Sequence, residues 1–194
     1  KTKAFCSCPT TGNEAPNTRC CEICTGMPGS KPSLNKEALW KALKVAKALN
    51  CIINKTNFFS RKSYFYPDLA KNYQISQYEL PLAIHGDFNG IKIRRIHLEE
   101  DPGALIHKEN YCLIDYNRSG IPLIEVVTEP DIQSPKQARD FLKQLITVLE
   151  YLDVYDKKSE ATLKADLNIS TTGEKVEIKN VNGLQDIELA IEYE

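Results

Sequence analysis

Two short segments, Leu163-Lys164-Ala165-Asp166-Leu167-Asn168-Ile169 and Lys175-Val176-Glu177-Ile178-Lys179-Asn180, alternate apolar with polar residues. Thr171-Thr172-Gly173-Glu174 lies between them, so the pair reads as a β-hairpin. Period-two geometry sets Leu163, Ala165, Leu167 and Ile169 on one face, matched by Val176 and Ile178. The opposite face carries Lys164, Asp166, Asn168, Lys175, Glu177 and Lys179.

Upstream of this hairpin the period changes. Phe141, Leu142, Leu145, Ile146, Leu149 and Leu152 recur at helical spacing after Ser134-Pro135-Lys136-Gln137, a cap, a first-turn proline and a capping box. The β-branched run Ile121–Val127 predicts a buried strand. Ile91–Leu98 predicts a strand broken at Arg94-Arg95. A first helix is predicted from an Asn35 cap to about Asn50, with Leu39, Leu43, Ala46 and Leu49 as its apolar face. Residues 58–81 have no clear period and read as a structured loop, and residues 1–34 are punctuated by proline and glycine. Helices mixed with hairpins predict an α+β fold with a largely antiparallel sheet and flanking helices.

The 194 residues fit one ordinary domain, with 42% hydrophobic and 26% charged residues. A formal net charge of −1 gives no overall basic field, although a local basic face can coexist with a neutral total. No apolar run is long enough to cross a membrane, and Lys1-Thr2-Lys3-Ala4-Phe5 does not read as a signal peptide. Without an initial Met, and with a helical pattern running to its last residues, the chain reads as a fragment trimmed at both ends.

Five of seven cysteines fall between Cys6 and Cys24. An odd number with a vicinal pair, Cys20-Cys21, makes a poor disulfide framework and a good metal site in a reducing compartment, so a cytoplasmic location is expected. Cys6-x-Cys8 and Cys21-x-x-Cys24 can converge on one tetrahedral Zn²⁺, with Zn–S distances of about 2.3 Å. Metal binding would supply folding energy to a loop with little core of its own. The same residues also fit buried reduced thiols or a redox pair at Cys21 and Cys24. Cys20 has the wrong spacing for the second pair, and Cys51 and Cys112 read as core residues.

Carboxylates stand in or beside three strand-like segments: His97-Leu98-Glu99-Glu100-Asp101, Leu123-Ile124-Glu125, and Asp166 with Glu177. Converging carboxylates suit Mg²⁺ with a nucleotide, and Lys164, Asn168, Lys179 and Asn180 could orient phosphoryl oxygens. A polar strand face is also ordinarily just solvated. Glu125 stands out, because a carboxylate buried in an apolar run is costly unless paired, protonated or metal-bound. No Walker A loop or dinucleotide glycine fingerprint is present. Phe59–Asp68 mixes cations and aromatics, including Tyr64 and Tyr66, and fits either a nucleotide or RNA contact by stacking or a packed loop.

Arg61-Lys62-Ser63-Tyr64-Phe65-Tyr66-Pro67-Asp68-Leu69 and Lys71-Asn72-Tyr73-Gln74-Ile75-Ser76-Gln77-Tyr78 resemble the GatB family, the B subunits of the glutamyl/aspartyl-tRNA amidotransferases. So do His97–Gly103, Asp115–Glu125, Thr128-Glu129-Pro130-Asp131 and Val176–Asn182, in the family's order and across essentially the whole chain. The resemblance implies a catalytic cradle domain over 1–194, related to glutamine synthetase, incomplete at both ends and including a small zinc knuckle at 1–34. It implies Mg-ATP-dependent phosphorylation of the side-chain carboxylate of Asp-tRNA(Asn) or Glu-tRNA(Gln), then amidation by ammonia. The implied partners are the amidase-type (A) and small (C) components of the amidotransferase and the misacylated tRNA. Glu100 and Glu125, with Glu99 adjacent, match the family's Mg²⁺ ligands. Lys62, Lys71 and Asp166 match polar positions of the ammonia route and active site, and Cys6, Cys8, Cys21 and Cys24 match the zinc knuckle.

The chain departs from the family pattern in places. The resemblance implies a Gly-Leu-Glu-x-His strand before Lys1 and C-terminal helical and tail domains after Glu194, outside this sequence, while the Arg of an Arg-Cys-Asp-x-Asn segment is Lys164 here and the hairpin turn is short. The archaeal GatE paralogue, from the glutamyl-tRNA-specific enzyme, should lack the Tyr-Phe-Tyr-Pro-Asp motif and carries a large insertion. A zinc-knuckle RNA-binding or assembly protein without catalysis is the alternative from another functional class.

Overall fold

The computed structural model describes residues 1–12, 14–158, 163–171 and 173–194. These form two compact units, one of residues 1–86 and 93–127, the other of residues 87–92 and 128–194. The fold is α+β with antiparallel strand pairs and three helices among the described residues.

In the first unit, helix α1 (Lys36–Ala48) starts where Asn35 accepts hydrogen bonds from the N–H groups of Glu37 and Ala38, at 2.9 and 3.2 Å. This satisfies two of the donors that a helix start leaves unpaired. Its buried face is Ala38, Ala42, Val45 and Ala46, rotated from the predicted stripe so that Leu39 and Leu43 lie at the margin. Alanines let the helix approach its neighbours closely, a choice that apolar spacing alone does not reveal. Ala42 packs with Leu82 and Leu98 to form a core cluster.

A four-stranded sheet follows the order β1 (Ile52–Ile53), β4 (Ala83–Phe88), β5 (Ile91–Glu100), β8 (Pro122–Thr128). β4 and β5 are joined by Asn89-Gly90, both at positive φ (54° and 82°), the geometry of a tight two-residue hairpin turn. β5 runs unbroken through Arg94-Arg95, against expectation. Its burial alternates at first, and from Ile96 to Leu98 three consecutive residues are buried, because both faces are covered there. β8 is only partly buried.

The expected loop at 58–81 instead contains a hairpin-like pair, β2 (Ser60–Ser63) with β3 (Tyr73–Ser76), in the register Ser60↔Ser76 to Ser63↔Tyr73. β2 reads Ser-Arg-Lys-Ser and carries no apolar alternation, so a periodicity search passes over it. Arg61 sits 5.0 Å from the Tyr73 ring centroid, a cation–π contact that binds the pair across its strands. A second small pair joins β6 (Ala104–His107) and β7 (Cys112–Asp115).

In the second unit Ser134 accepts a 3.2 Å hydrogen bond from Gln137 N–H at the start of α2 (Pro135–Tyr151). The Gln137 side chain reaches back to Gln133 N–H at 2.8 Å rather than to Ser134, one residue beyond the predicted box. Phe141 meets Phe88 edge to face, with centroids 5.8 Å apart. The deciding hairpin is present as β9 (Ala165–Ile169) and β10 (Val176–Val181), paired Val176↔Ile169 and Ile178↔Leu167 as the alternation requires. A register irregularity follows Ile178. Thr172 of the connecting turn lies outside the described residues. The last helix is α3 (Leu184–Tyr193), whose Ile187 is buried.

Leu82 is 2% exposed in the first core. Leu82→Ala should lower the urea midpoint by an amount equivalent to about 2–5 kcal/mol, the cost of a buried leucine truncation that leaves a cavity. Leu80→Ala, at an exposed site, should leave it nearly unchanged.

Candidate functional site

A strand sends successive side chains to opposite faces, so His97 and Glu99 on β5 share one face while Glu100 takes the other. β8 is the neighbouring strand and adds Glu125 to the His97 side. His97 Nε2 lies 3.1 Å from Glu99 Oε1 and 2.9 Å from Glu125 Oε2. The ligand atoms of these three residues all fall within 4.8 Å of one another, so the group could hold a metal ion.

β3 fixes Glu99 from the other side. Ser76 Oγ donates to Glu99 Oε1 at 2.7 Å and Gln74 Nε2 to Oε2 at 3.2 Å. Burial works to raise the Glu99 pKa, but hydrogen bonds from His97 and Ser76 and the charges of His97 and Lys62 outweigh it, and the carboxyl is held below its ordinary value. Burial likewise works to lower the His97 pKa, and the bonds to Glu125 and Glu99 reverse this, so the imidazole is raised. His97 Nδ1 is buried without a hydrogen-bond partner. A metal-ligating imidazole is normally anchored through its second nitrogen. The two carboxylates are therefore the better cation donors here, with His97 as the group that holds them together.

Glu125 is a correction to the sequence reading. Its side chain is 44% exposed, not buried in an apolar strand, and its carboxylate is paired with His97. The buried carboxylate is Glu100, 3% exposed. It forms an ion pair with Lys71 and accepts a 3.1 Å hydrogen bond from Ile75 N–H, and it does not belong to the His97 group. Lys71 also lies 5.4 Å from the Tyr73 ring centroid.

Lys62 is exposed on β2, and its charge reaches Glu99. Tyr64 is half-buried, and its phenol is raised by burial and then by the charges of Asp68 and Glu99. Tyr66 is exposed and lines a shallow hollow of about 420 Å³ with Phe65, Leu69 and Tyr116. Asp166 and Lys179 belong to the second unit. Asp166 accepts a 2.8 Å hydrogen bond from Asn180 N–H, and Lys179 pairs with Glu177 at 3.5 Å.

Cys6, Cys8, Cys21 and Cys24 bring their sulfurs within 4.8 Å of one another, a second group able to hold a metal. All are free thiols. Burial is the main cause that pushes Cys6 up to about 11 and raises Cys8 as well. Cys21 is lowered: burial opposes, and the N–H groups of Cys24 and Ile23 with the Cys8 and Cys6 thiols outweigh it. The loop is built into the unit through Ser119 Oγ, which donates to Cys24 O at 3.2 Å. Gly26 holds φ at +71° and lies so close to Lys71 that an added Cβ would overlap its side chain.

Sequence reasoning assigns no role to His97, Gln74 or Ser76. For His97 a signal exists, since it stands two residues from Glu99 on one strand.

The GatB/GatE catalytic domain family matches residues 1–194. The chain is 53% identical over 210 residues to the aspartyl/glutamyl-tRNA(Asn/Gln) amidotransferase B subunit of Methanospirillum hungatei, covering 100% of this chain and 44% of that protein. The B subunit of Saccharolobus solfataricus is 50% identical over 100% of this chain and 44% of its own length. That of Moorella thermoacetica is 46% identical over 99% of this chain and 44% of its own. The chain thus spans less than half the length of these relatives.

The two shifts at the carboxylate group define a pH window. His97, raised above 6.5, contributes stability that is fully present below about 6.5 and lost as pH rises through its folded value. Glu99, lowered from 4.5, contributes stability present above about 4.5 and lost as pH falls through its folded value. In metal-free protein the His97 ring should titrate above 6.5 by NMR, and Glu99→Gln should bring it down. A midpoint at or below that value would contradict the arrangement.

Proposed function

Because the chain belongs to the GatB/GatE catalytic domain family, we propose that it is the catalytic cradle, related to glutamine synthetase, of a tRNA-dependent amidotransferase B subunit. The reaction class is ATP-dependent carbon–nitrogen ligation. A side-chain carboxylate oxygen of Asp-tRNA(Asn) or Glu-tRNA(Gln) attacks the γ-phosphorus of ATP, and ADP leaves. Ammonia then attacks the activated carbonyl carbon, the C–O bond to phosphate breaks, and Asn-tRNA or Gln-tRNA results. An ionised carboxylate resists nucleophiles, and the acyl phosphate supplies the leaving group it lacks.

The observation that carries this reading is the pairing of Glu99 and Glu125 about His97 on adjacent strands. Two carboxylates on one rigid surface supply the hard oxygen donors of Mg²⁺ and leave its remaining positions for phosphate and water. Mg²⁺ held there would offset the charge that develops on transferring phosphoryl oxygens. Ser76 and Gln74 keep Glu99 oriented. Lys62 adds positive charge that reaches the same carboxylate, where phosphate would arrive. Lys71 and Glu100 neutralise each other as a polar pair suited to an ammonia route. Tyr64 and Tyr66 offer aromatic contacts for the nucleotide. Asp166 and Lys179, on the second unit, are polar groups of the kind that such an active site employs.

The cysteine group fits zinc. Four sulfur donors make a closed tetrahedral site with no position left for substrate, so its role is structural. Residues 1–34 then form a zinc knuckle within the cradle. The amidase-type component, as the source of ammonia, and the small third component are the proposed companions in the cytoplasm.

The deciding test uses the full-length protein with these two partners, each misacylated tRNA, ATP, Mg²⁺ and either glutamine or ammonium. Amidation is expected with both nitrogen sources, and Glu125→Ala should lower it by about 100-fold or more with the fold intact. Near wild-type amidation in Glu125→Ala would remove the metal role, and no amidation by folded wild-type complex would favour a non-catalytic RNA-binding protein. Separately, Cys21→Ser should lower both zinc content, by elemental analysis, and the thermal midpoint.

A further inference from the structure

Lys3 is completely buried, although nothing in the residues around it predicts this. Its backbone is pinned on several sides. Lys3 N–H donates to Cys8 O at 3.0 Å, Asn35 Nδ2 donates to Lys3 O at 3.2 Å, and Ala4 N–H donates to Gly120 O at 2.8 Å. The Lys3 ammonium lies 3.5 Å from Cys24 Sγ and 3.2 Å from Tyr116 O. Gly120, whose φ of +84° favours glycine, packs along the stem, and a Cβ there would be in ordinary contact with Lys3 Cδ at 3.5 Å.

A buried ammonium is costly unless an anion and hydrogen-bond acceptors surround it. A carbonyl oxygen meets part of that need. The sulfur it touches belongs to the four-cysteine group, and a divalent ion held by four thiolates carries a net double negative charge. The two unfavourable burials offset each other. Cys24 Sγ also accepts a hydrogen bond from Cys21 N–H at 3.1 Å, so this sulfur has two donors on it.

We propose that Lys3 is the charge-balancing partner of the cysteine centre, its ammonium drawing electron density from Cys24 Sγ and slowing release of the bound metal. The inference rests on the metal reading of the four cysteines and adds a residue to it. Partners of this kind act through the ligand they touch, and losing one weakens metal binding by about 10- to 100-fold.

The test compares wild-type full chain with Lys3→Met and with Lys1→Met, an exposed lysine two residues away. Zinc release to a chromogenic chelator is timed, and the sulfur-to-metal charge-transfer band is recorded after Co²⁺ replacement. Lys3→Met should release zinc about 10-fold faster. Its Co²⁺ band should move to longer wavelength, because a sulfur relieved of a cationic donor gives up charge more easily. Lys1→Met should match wild type in both. If Lys3→Met does not fold, Lys3→Gln keeps a donor without the charge and should still release zinc faster. Wild-type release and an unmoved band in the Lys3 variant would overturn the proposal while leaving the metal site standing. A folded wild-type chain that takes up neither metal would overturn both.

Discussion

Glu99 and Glu100 are consecutive on one strand, and a strand cannot turn both to the same side. Each carboxylate is largely removed from water, so each needs its own compensation, and the two solutions organise the first unit. On one face Glu99 is met by His97, Ser76 and Gln74. On the other, Glu100 is met by Lys71 and the Ile75 N–H. Both sets draw on β3, and Gln74 serves both residues, reaching the Glu99 carboxylate and the Glu100 carbonyl. The small β2–β3 pair is thus the scaffold that makes two adjacent buried charges tolerable. Its polar strand residues, which look unsuited to a core, are the reason it is there.

The same division of labour explains why the two candidate metal groups differ. The carboxylate group is partly open, with Glu125 reaching solvent, and offers few donors, as expected where other ligands must come and go. The cysteine group supplies four donors from a loop that closes on itself and is tied down by Ser119. One arrangement suits exchange and the other suits permanence.

Legibility from sequence follows the physics of each element. The β9–β10 hairpin is readable because one face is apolar and the other polar, so period two survives in the residues. α2 is readable because a serine cap and a first-turn proline mark its start. The cysteine group is readable from spacing alone. β2 escapes because Ser-Arg-Lys-Ser has no apolar residue to alternate, and β5 reads as broken because Arg95 takes the side of Ile91 and Ile93, where it lies over the Tyr78 ring instead of ending the strand. The strongest local mark of the β4–β5 hairpin is its Asn89-Gly90 turn, not the pattern of the strands it joins. Glu125 reads as buried because its strand is apolar in composition, yet that strand is only half covered. Lys3 leaves no trace, because its burial depends on residues from 21 to 113 positions away in the chain.

Gly26 and Gly29 both hold positive φ in the same loop, yet their surroundings differ. Open space surrounds Gly29, whereas Gly26 is pressed against Lys71, the partner of Glu100. Any codon change that replaces a glycine introduces a Cβ. At Gly29 the result is local strain that a loop can absorb. At Gly26 the same change displaces a lysine whose charge is committed elsewhere. Two glycines three positions apart thus differ in what a side chain would cost, one a matter of backbone strain alone and the other of a committed charge as well.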